Sequence, residues 1–124
     1  MATLNLVGNK LTNVEGLEKL TQLTYLNLQN NQLTNVKSLA KLTKLSYLNL
    51  SGNQLTEIPK GLEKHTQLTY LVLFDNQLTD VKGLEKLTQL KVLRLDNNPD
   101  LTEAQIDQLQ KAFPKCRINH NAKK

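Results

Sequence analysis

Leucine and other apolar residues recur along this chain at fixed offsets, and the whole pattern of offsets then repeats. Aligned on these positions, units begin at Met1, Leu23, Leu45, Leu68 and Leu90, with spacings of 22, 22, 23 and 22 residues. Each unit reads as an apolar residue, two variable positions, Leu-x-Leu, two more variable positions, Asn, one variable position and Leu. The instances are Leu4-Asn5-Leu6 with Asn9 and Leu11, Leu26-Asn27-Leu28 with Asn31 and Leu33, and Leu48-Asn49-Leu50 with Asn53 and Leu55. Leu71-Val72-Leu73 with Asn76 and Leu78 follows, then Leu93-Arg94-Leu95 with Asn98 and Leu101, the last stretched by Pro99-Asp100. Units two and four agree at 15 of 22 aligned positions, so the repetition is one of sequence and not only of hydropathy.

Two periods alternate inside each unit. In Leu-x-Leu a period of two sends both leucines to one face of a strand and the residue between them to the other. Farther on, Val14, Leu17 and Leu20 recur every three positions, as do Val36, Leu39 and Leu42, and Val81, Leu84 and Leu87. That is the period of a 3₁₀ segment. A unit of this length has no room for a strand, a full helix and two turns, so its return path must be compact. Nor can one unit bury its own leucines, which makes stacking on neighbours the source of stability.

Five consecutive matches at a near-constant period resemble the leucine-rich repeat proteins of the short bacterial class that includes the internalins, over residues 1–101. The resemblance implies an α/β fold, a right-handed solenoid with a parallel sheet on its concave side and short 3₁₀ or irregular segments on its convex side. Function is expected where the repeat varies on an exposed, rigid surface, as a non-catalytic scaffold that binds a protein or peptide through the concave sheet face.

The Asn column, Asn9, Asn31, Asn53, Asn76 and Asn98, reads as a structural ladder. Where each strand turns inward, backbone groups enter the core, and an amide offers both donors and an acceptor to satisfy them. Binding belongs instead to the outward strand positions. These form columns: Thr3, Tyr25, Tyr47, Tyr70 and Val92; Asn5, Asn27, Asn49, Val72 and Arg94; Val7, Gln29, Ser51, Phe74 and Asp96; Gly8, Asn30, Gly52, Asp75 and Asn97. All three Tyr fall in the first column. Solvent-facing aromatics on a preformed sheet are good anchors because they present large area with few rotors to freeze. A Tyr column could equally be favourable packing between duplicated strands. Unit four favours a contact, because Val72 and Phe74 replace its siblings' polar residues and the next unit brings Arg94 and Asp96 alongside. The expected partner-binding set is therefore Tyr25, Tyr47, Tyr70, Val72, Phe74, Asp75, Arg94 and Asp96. Strand spacing and rise limit that face to about 400 Å², below the roughly 800 Å² per partner of a standard interface.

Unit three carries the insertion Ile58-Pro59-Lys60-Gly61, and His65 stands where Leu20, Leu42 and Leu87 stand in its siblings. A lone His at such a position is expected to pack while partly exposed, and no second His or Cys lies at metal-ligand spacing. Asn49-Leu50-Ser51 matches a glycosylation sequon but falls inside a strand.

After Pro99 the period changes. Thr102 and Gln105 have capping-box spacing, Ile106, Leu109 and Phe113 form one apolar stripe, and Pro114 stops the helix. Cys116-Arg117-Ile118 then alternates as a final strand with Cys116 and Ile118 inward. Residues 102–118 thus read as a C-terminal cap, and 119–124 as a frayed basic tail. No comparable cap precedes unit one. The chain is then expected to be an excerpt of a longer or engineered array, or a self-associating segment whose N-terminal edge strand forms a homodimer with a second copy.

Composition adds exclusions. The 124 residues include 27 Leu but only 5 aromatics, which is far from a disordered composition, and no apolar run reaches a membrane span of about 18 residues. The net charge of +5 is spread, with 11 basic and 8 acidic residues in 1–98 and 5 and 3 in 99–124. Most Lys, such as Lys19, Lys41, Lys64 and Lys86, fall in the convex segments, whereas phosphate recognition needs converging cations, so neither nucleic acid nor membrane is an expected partner. The single Cys116 excludes an internal disulfide. Met1-Ala2-Thr3-Leu4 lacks the n-region and apolar core of a signal peptide, and the compartment stays open. There is no Gly-rich phosphate loop, metal cluster or nucleophile–base spacing, so the expectation is no enzyme, no metal and no cofactor.

Overall fold

The computed structural model describes residues 2–121, and there the two periods become a stack of coils. The strands are β1 (Ala2–Asn5), β2 (Leu23–Asn27), β3 (Tyr47–Asn49), β4 (Tyr70–Val72), β5 (Val92–Arg94) and β6 (Arg117–Asn119). They form one open six-stranded sheet in sequential order, with every neighbouring pair parallel. The first four return paths each carry a 3₁₀ segment, at Leu17–Lys19, Lys37–Lys41, Leu62–Lys64 and Leu84–Lys86, and the fifth carries an α-helix. The register pairs identical repeat positions, so Leu26, Leu48, Leu71 and Leu93 stack in one row. Leucines from the sheet and from the 3₁₀ segments fill one continuous core.

Three of the four 3₁₀ segments start from a glycine at positive φ, Gly16, Gly61 and Gly83, a backbone that other residues enter only at a cost. Unit two has Ser38 in place of that glycine, and its segment begins earlier, after Val36 at φ −125°, and runs for five residues. The same residue change therefore sets where the turn starts.

The Asn side chains join each coil to the one before it. Asn53 accepts from Leu33 N at 3.0 Å and donates to Leu28 O at 3.1 Å and, within its own coil, to Leu50 O at 2.9 Å. Asn31, Asn76 and Asn98 repeat this arrangement, and all four are buried. Asn9 departs from it. Its amide is exposed and donates only locally, to Val7 O, because among the described residues no earlier coil lies beside it.

The helix α1 (Glu103–Ala112) closes the other end. Thr102 Oγ1 accepts from Gln105 N at 3.2 Å while Gln105 Oε1 accepts from Thr102 N at 2.9 Å, the capping box expected from the spacing. Gln105 Nε2 also donates to Thr79 O, which ties the helix start to unit four. Ile106, Leu109 and Phe113 are buried against the core, as is Cys116, whose thiol is pushed up by burial and so disfavours the reactive thiolate.

Two expectations need correction. The sequence pattern starts the tail at Asn119, but β6 includes Asn119, whose carbonyl accepts from Leu95 N. Asn121 then exchanges two hydrogen bonds with Asn97 at 2.7 and 2.8 Å. Residues 122–124 lie outside the described residues. Second, His65 is not partly exposed: it has 0% exposure, because it takes the place of a core leucine between stacked coils. The column makes the reason visible, since Leu42 and Leu87 are equally buried while Leu20, on the first coil, is 42% exposed.

Replacing Asn53 with Leu leaves buried backbone partners in two coils unsatisfied, and urea denaturation should show a loss of about 1–3 kcal/mol. Asn9→Leu, at an exposed rung, should cost less than about 0.5 kcal/mol. Equal losses at the two positions would remove the ladder as the reason for the Asn column.

Candidate functional site

The outward face of the sheet is built by the strand residues between the core leucines. Tyr25, Tyr47 and Tyr70 occupy paired positions on adjacent strands, with Thr3 before them and Val92 after. Tyr25 and Tyr47 stack with ring centroids 4.3 Å apart and planes 4° from parallel. Tyr47 and Tyr70 are 5.0 Å apart and tilted by 35°. Strand spacing of about 4.8 Å suits such stacking, so the column is one aromatic ladder.

Tyr47 is held and Tyr70 is not. Asn49 Nδ2 donates to the Tyr47 hydroxyl at 3.3 Å and to Gln29 Oε1 at 3.1 Å. Two residues along β4 from Tyr70, the equivalent of Asn49 is Val72, which has no such donor. The next strand also supplies Val92 rather than a fourth ring. Tyr70 tilts against Tyr47 at the end of the ladder and is the most exposed of the three, at 36%. Burial pushes the Tyr47 hydroxyl above its ordinary value, with the Asn49 hydrogen bond opposing the shift.

The third group lies across β4 and β5. The Arg94 guanidinium sits 4.6 Å from the centre of the Phe74 ring and pairs with Asp96 at 2.9 Å. Asp96 follows Arg94, the last residue of β5, by two positions, and its carboxylate lies within reach of the guanidinium. The pair cancels its own charge and fixes Arg94 over the ring. Asp75 follows at φ 57° and is exposed, so it supplies the uncompensated charge of this corner.

Of the residues expected to bind, the structure places Tyr25, Tyr47, Tyr70, Phe74, Asp75, Arg94 and Asp96 at accessible or half-buried positions. Val72 is a correction. It is only 3% exposed, being flanked by Asn49 and Arg94 on the adjacent strands and by Tyr70 and Phe74 along its own. Larger side chains on four sides leave it no surface, so it supports the face rather than presenting it. Asn49 and Ser51, also assigned outward, are buried too.

The second column has a role that spacing did not reveal. Asn5, Asn27 and Asn49 each accept from the backbone N–H two residues on, at 3.1, 3.0 and 3.0 Å. These are Asx-type caps at the strand ends. Val72 and Arg94 break the series, and the Phe74–Arg94–Asp96 group stands where the caps stop. An Asn followed two residues later by the end of an alternating run was the available signal.

The chain matches the family model described as Leucine Rich repeats (2 copies) over residues 2–41, 21–64 and 66–111. It belongs to the leucine-rich repeat family. An internalin (InlF) from Listeria monocytogenes superposes with a TM-score of 0.74 at 27% identity, covering 90% of this chain and 34% of that one. A leucine-rich repeat protein of Leptospira interrogans superposes with a TM-score of 0.70 at 29% identity, covering 94% and 36%. The present repeats thus span about a third of each of these bacterial chains. No curated protein sequence matches the chain significantly. Leucine-rich repeat proteins are generally non-enzymatic protein-interaction scaffolds. Among the described residues no group of His, Cys, Asp or Glu could hold a metal ion, and no helix is long and apolar enough to cross a membrane.

Residue-resolved titration should show the Tyr47 hydroxyl ionising above the ordinary tyrosine range. Asn49→Val should move it farther up, because the lost amide donor had stabilised the tyrosinate. A Tyr47 titration unaltered by the substitution would contradict the Tyr47–Asn49 contact.

Proposed function

We propose that this repeat segment binds a protein or peptide on its concave sheet face, with Tyr70 and the Phe74–Arg94 pair as the anchors and Tyr25 and Tyr47 as the flanking surface. The observation that carries this reading is the break in the repeat at units four and five. In the earlier units Tyr25 and Tyr47 stack on each other, and Asn5, Asn27 and Asn49 cap the backbone two residues on. At Tyr70 both the tether and the next ring are missing, and an aromatic side chain is left accessible on a rigid sheet. Rigid aromatic and Arg groups are the residue types that most often dominate binding energy, because little rotamer entropy is lost when they are covered.

The charge pattern supports a polypeptide rather than a nucleic acid. Arg94 is already paired with Asp96, and Lys19, Lys41, Lys64 and Lys86 lie exposed on the convex 3₁₀ segments, away from the aromatic face. No converging set of cations forms on the sheet among the described residues. A neutral to slightly acidic aromatic surface suits an extended segment with apolar or aromatic side chains. The small face matches a short epitope and modest affinity.

Panning a random peptide display library against the intact protein tests this. Selected peptides should lose at least about tenfold in affinity with Tyr70→Ala or Phe74→Ala, equivalent to about 1.4 kcal/mol, and should be unaffected by Lys86→Ala. Recovery of no binder, or of binders indifferent to both concave substitutions, would refute the proposal.

A further inference from the structure

The convex column Leu20, Leu42, His65 and Leu87 holds one titratable group in an apolar row. His65 has 0% exposure, and neither ring nitrogen has a hydrogen-bond partner of proper geometry. A neutral imidazole tolerates this poorly and an imidazolium far worse, since a buried charge without a partner carries a heavy desolvation cost. The surrounding segments do not supply a compensating charge. The charged residues of the three adjacent 3₁₀ segments are Lys37 and Lys41, Glu63 and Lys64, and Glu85 and Lys86, of which only the Glu63 carboxylate favours the protonated ring. Burial outweighs it together with the Leu39 backbone and holds the imidazole below its ordinary range.

His65 also ends the unit-three return path. Its carbonyl accepts from Leu68 N at 3.1 Å and from Gln89 Nε2 at 2.9 Å, and Tyr70 N donates to Ser46 O directly downstream. The turn that buries the ring therefore sets the entry into β4, the strand bearing Tyr70.

We infer that His65 is an acid-sensitive point of the solenoid: protonation requires the unit-three turn to open, and mild acid loosens the stack at the entry to β4. The sign follows from linkage. An unfolded histidine takes up its proton near pH 6.5, before the folded one does, so the contribution is complete above that pH and is lost as pH falls below it. Between pH 7.5 and 5.5 the folding equilibrium constant should drop by up to about tenfold from this group alone.

The experiment is urea unfolding of the full chain at pH 7.5 and 5.5, with His65→Leu, the residue its sibling coils use, and with His120→Gln to isolate the second histidine. The wild type and His120→Gln should lose stability across this range, and His65→Leu should lose less by about that factor. Independently, NMR of the folded wild type should show the His65 ring still neutral where an unfolded histidine is already protonated. A His65 ring that titrates near pH 6.5 in the folded protein, or a His65→Leu variant with the wild-type pH dependence, would overturn the inference. The NMR readout stands even if His65→Leu folds poorly.

Discussion

A coil of about 22 residues has an interior only one side chain deep, and its leucines leave water only when another coil covers them. Closing that interior brings backbone groups in from the strand ends, and these cannot be left unpaired. The buried Asn side chains resolve both demands at once, because each amide bonds its own coil and the previous one. The contrast along the chain shows the dependence. Leu42 and Asn53 are buried between coils, whereas Leu20 and Asn9, chemically the same, are exposed on the first.

That arrangement decides where the sequence is free to vary. Core leucines and ladder amides are held by neighbours on both sides, so change concentrates on the sheet face and the convex segments. Even there freedom is partial. Asn27 and Asn49 close the ends of their strands, and Tyr25 and Tyr47 stack on each other. Only from unit four onward, with Val72, Phe74, Arg94 and Asp96, does the face stop serving its own regularity. His65 is the convex counterpart of this departure, a polar ring in a row whose other places are leucine. Local conflicts of this kind tend to mark positions where something other than packing was at stake.

Much of this was legible without coordinates. Leu-x-Leu and the period-three runs specified strands and 3₁₀ segments, and the spacing of Thr102, Gln105, Ile106, Leu109 and Phe113 specified a capped helix. The Asn column was readable as a ladder because no other side chain offers donors and an acceptor at that size. What misled was accessibility. Val72 and Asn49 sit at outward positions of their strands and are nevertheless buried, and His65 is fully covered although polarity suggested partial exposure. Asn119 and Asn121 read as tail in the sequence, since their partners, Leu95 and Asn97, lie more than twenty residues away.

The sequence alone determined the repeat, the strand faces, the core leucines and the helix cap, because side-chain direction follows from backbone periodicity within a few residues. The tertiary structure decided which outward residues reach solvent, that Arg94 is claimed by Phe74 and Asp96, and that Tyr70 is the tilted, exposed end of its ladder. Those outcomes depend on what the adjacent strands place at the same height, across a gap of about 4.8 Å in space but a whole repeat in sequence.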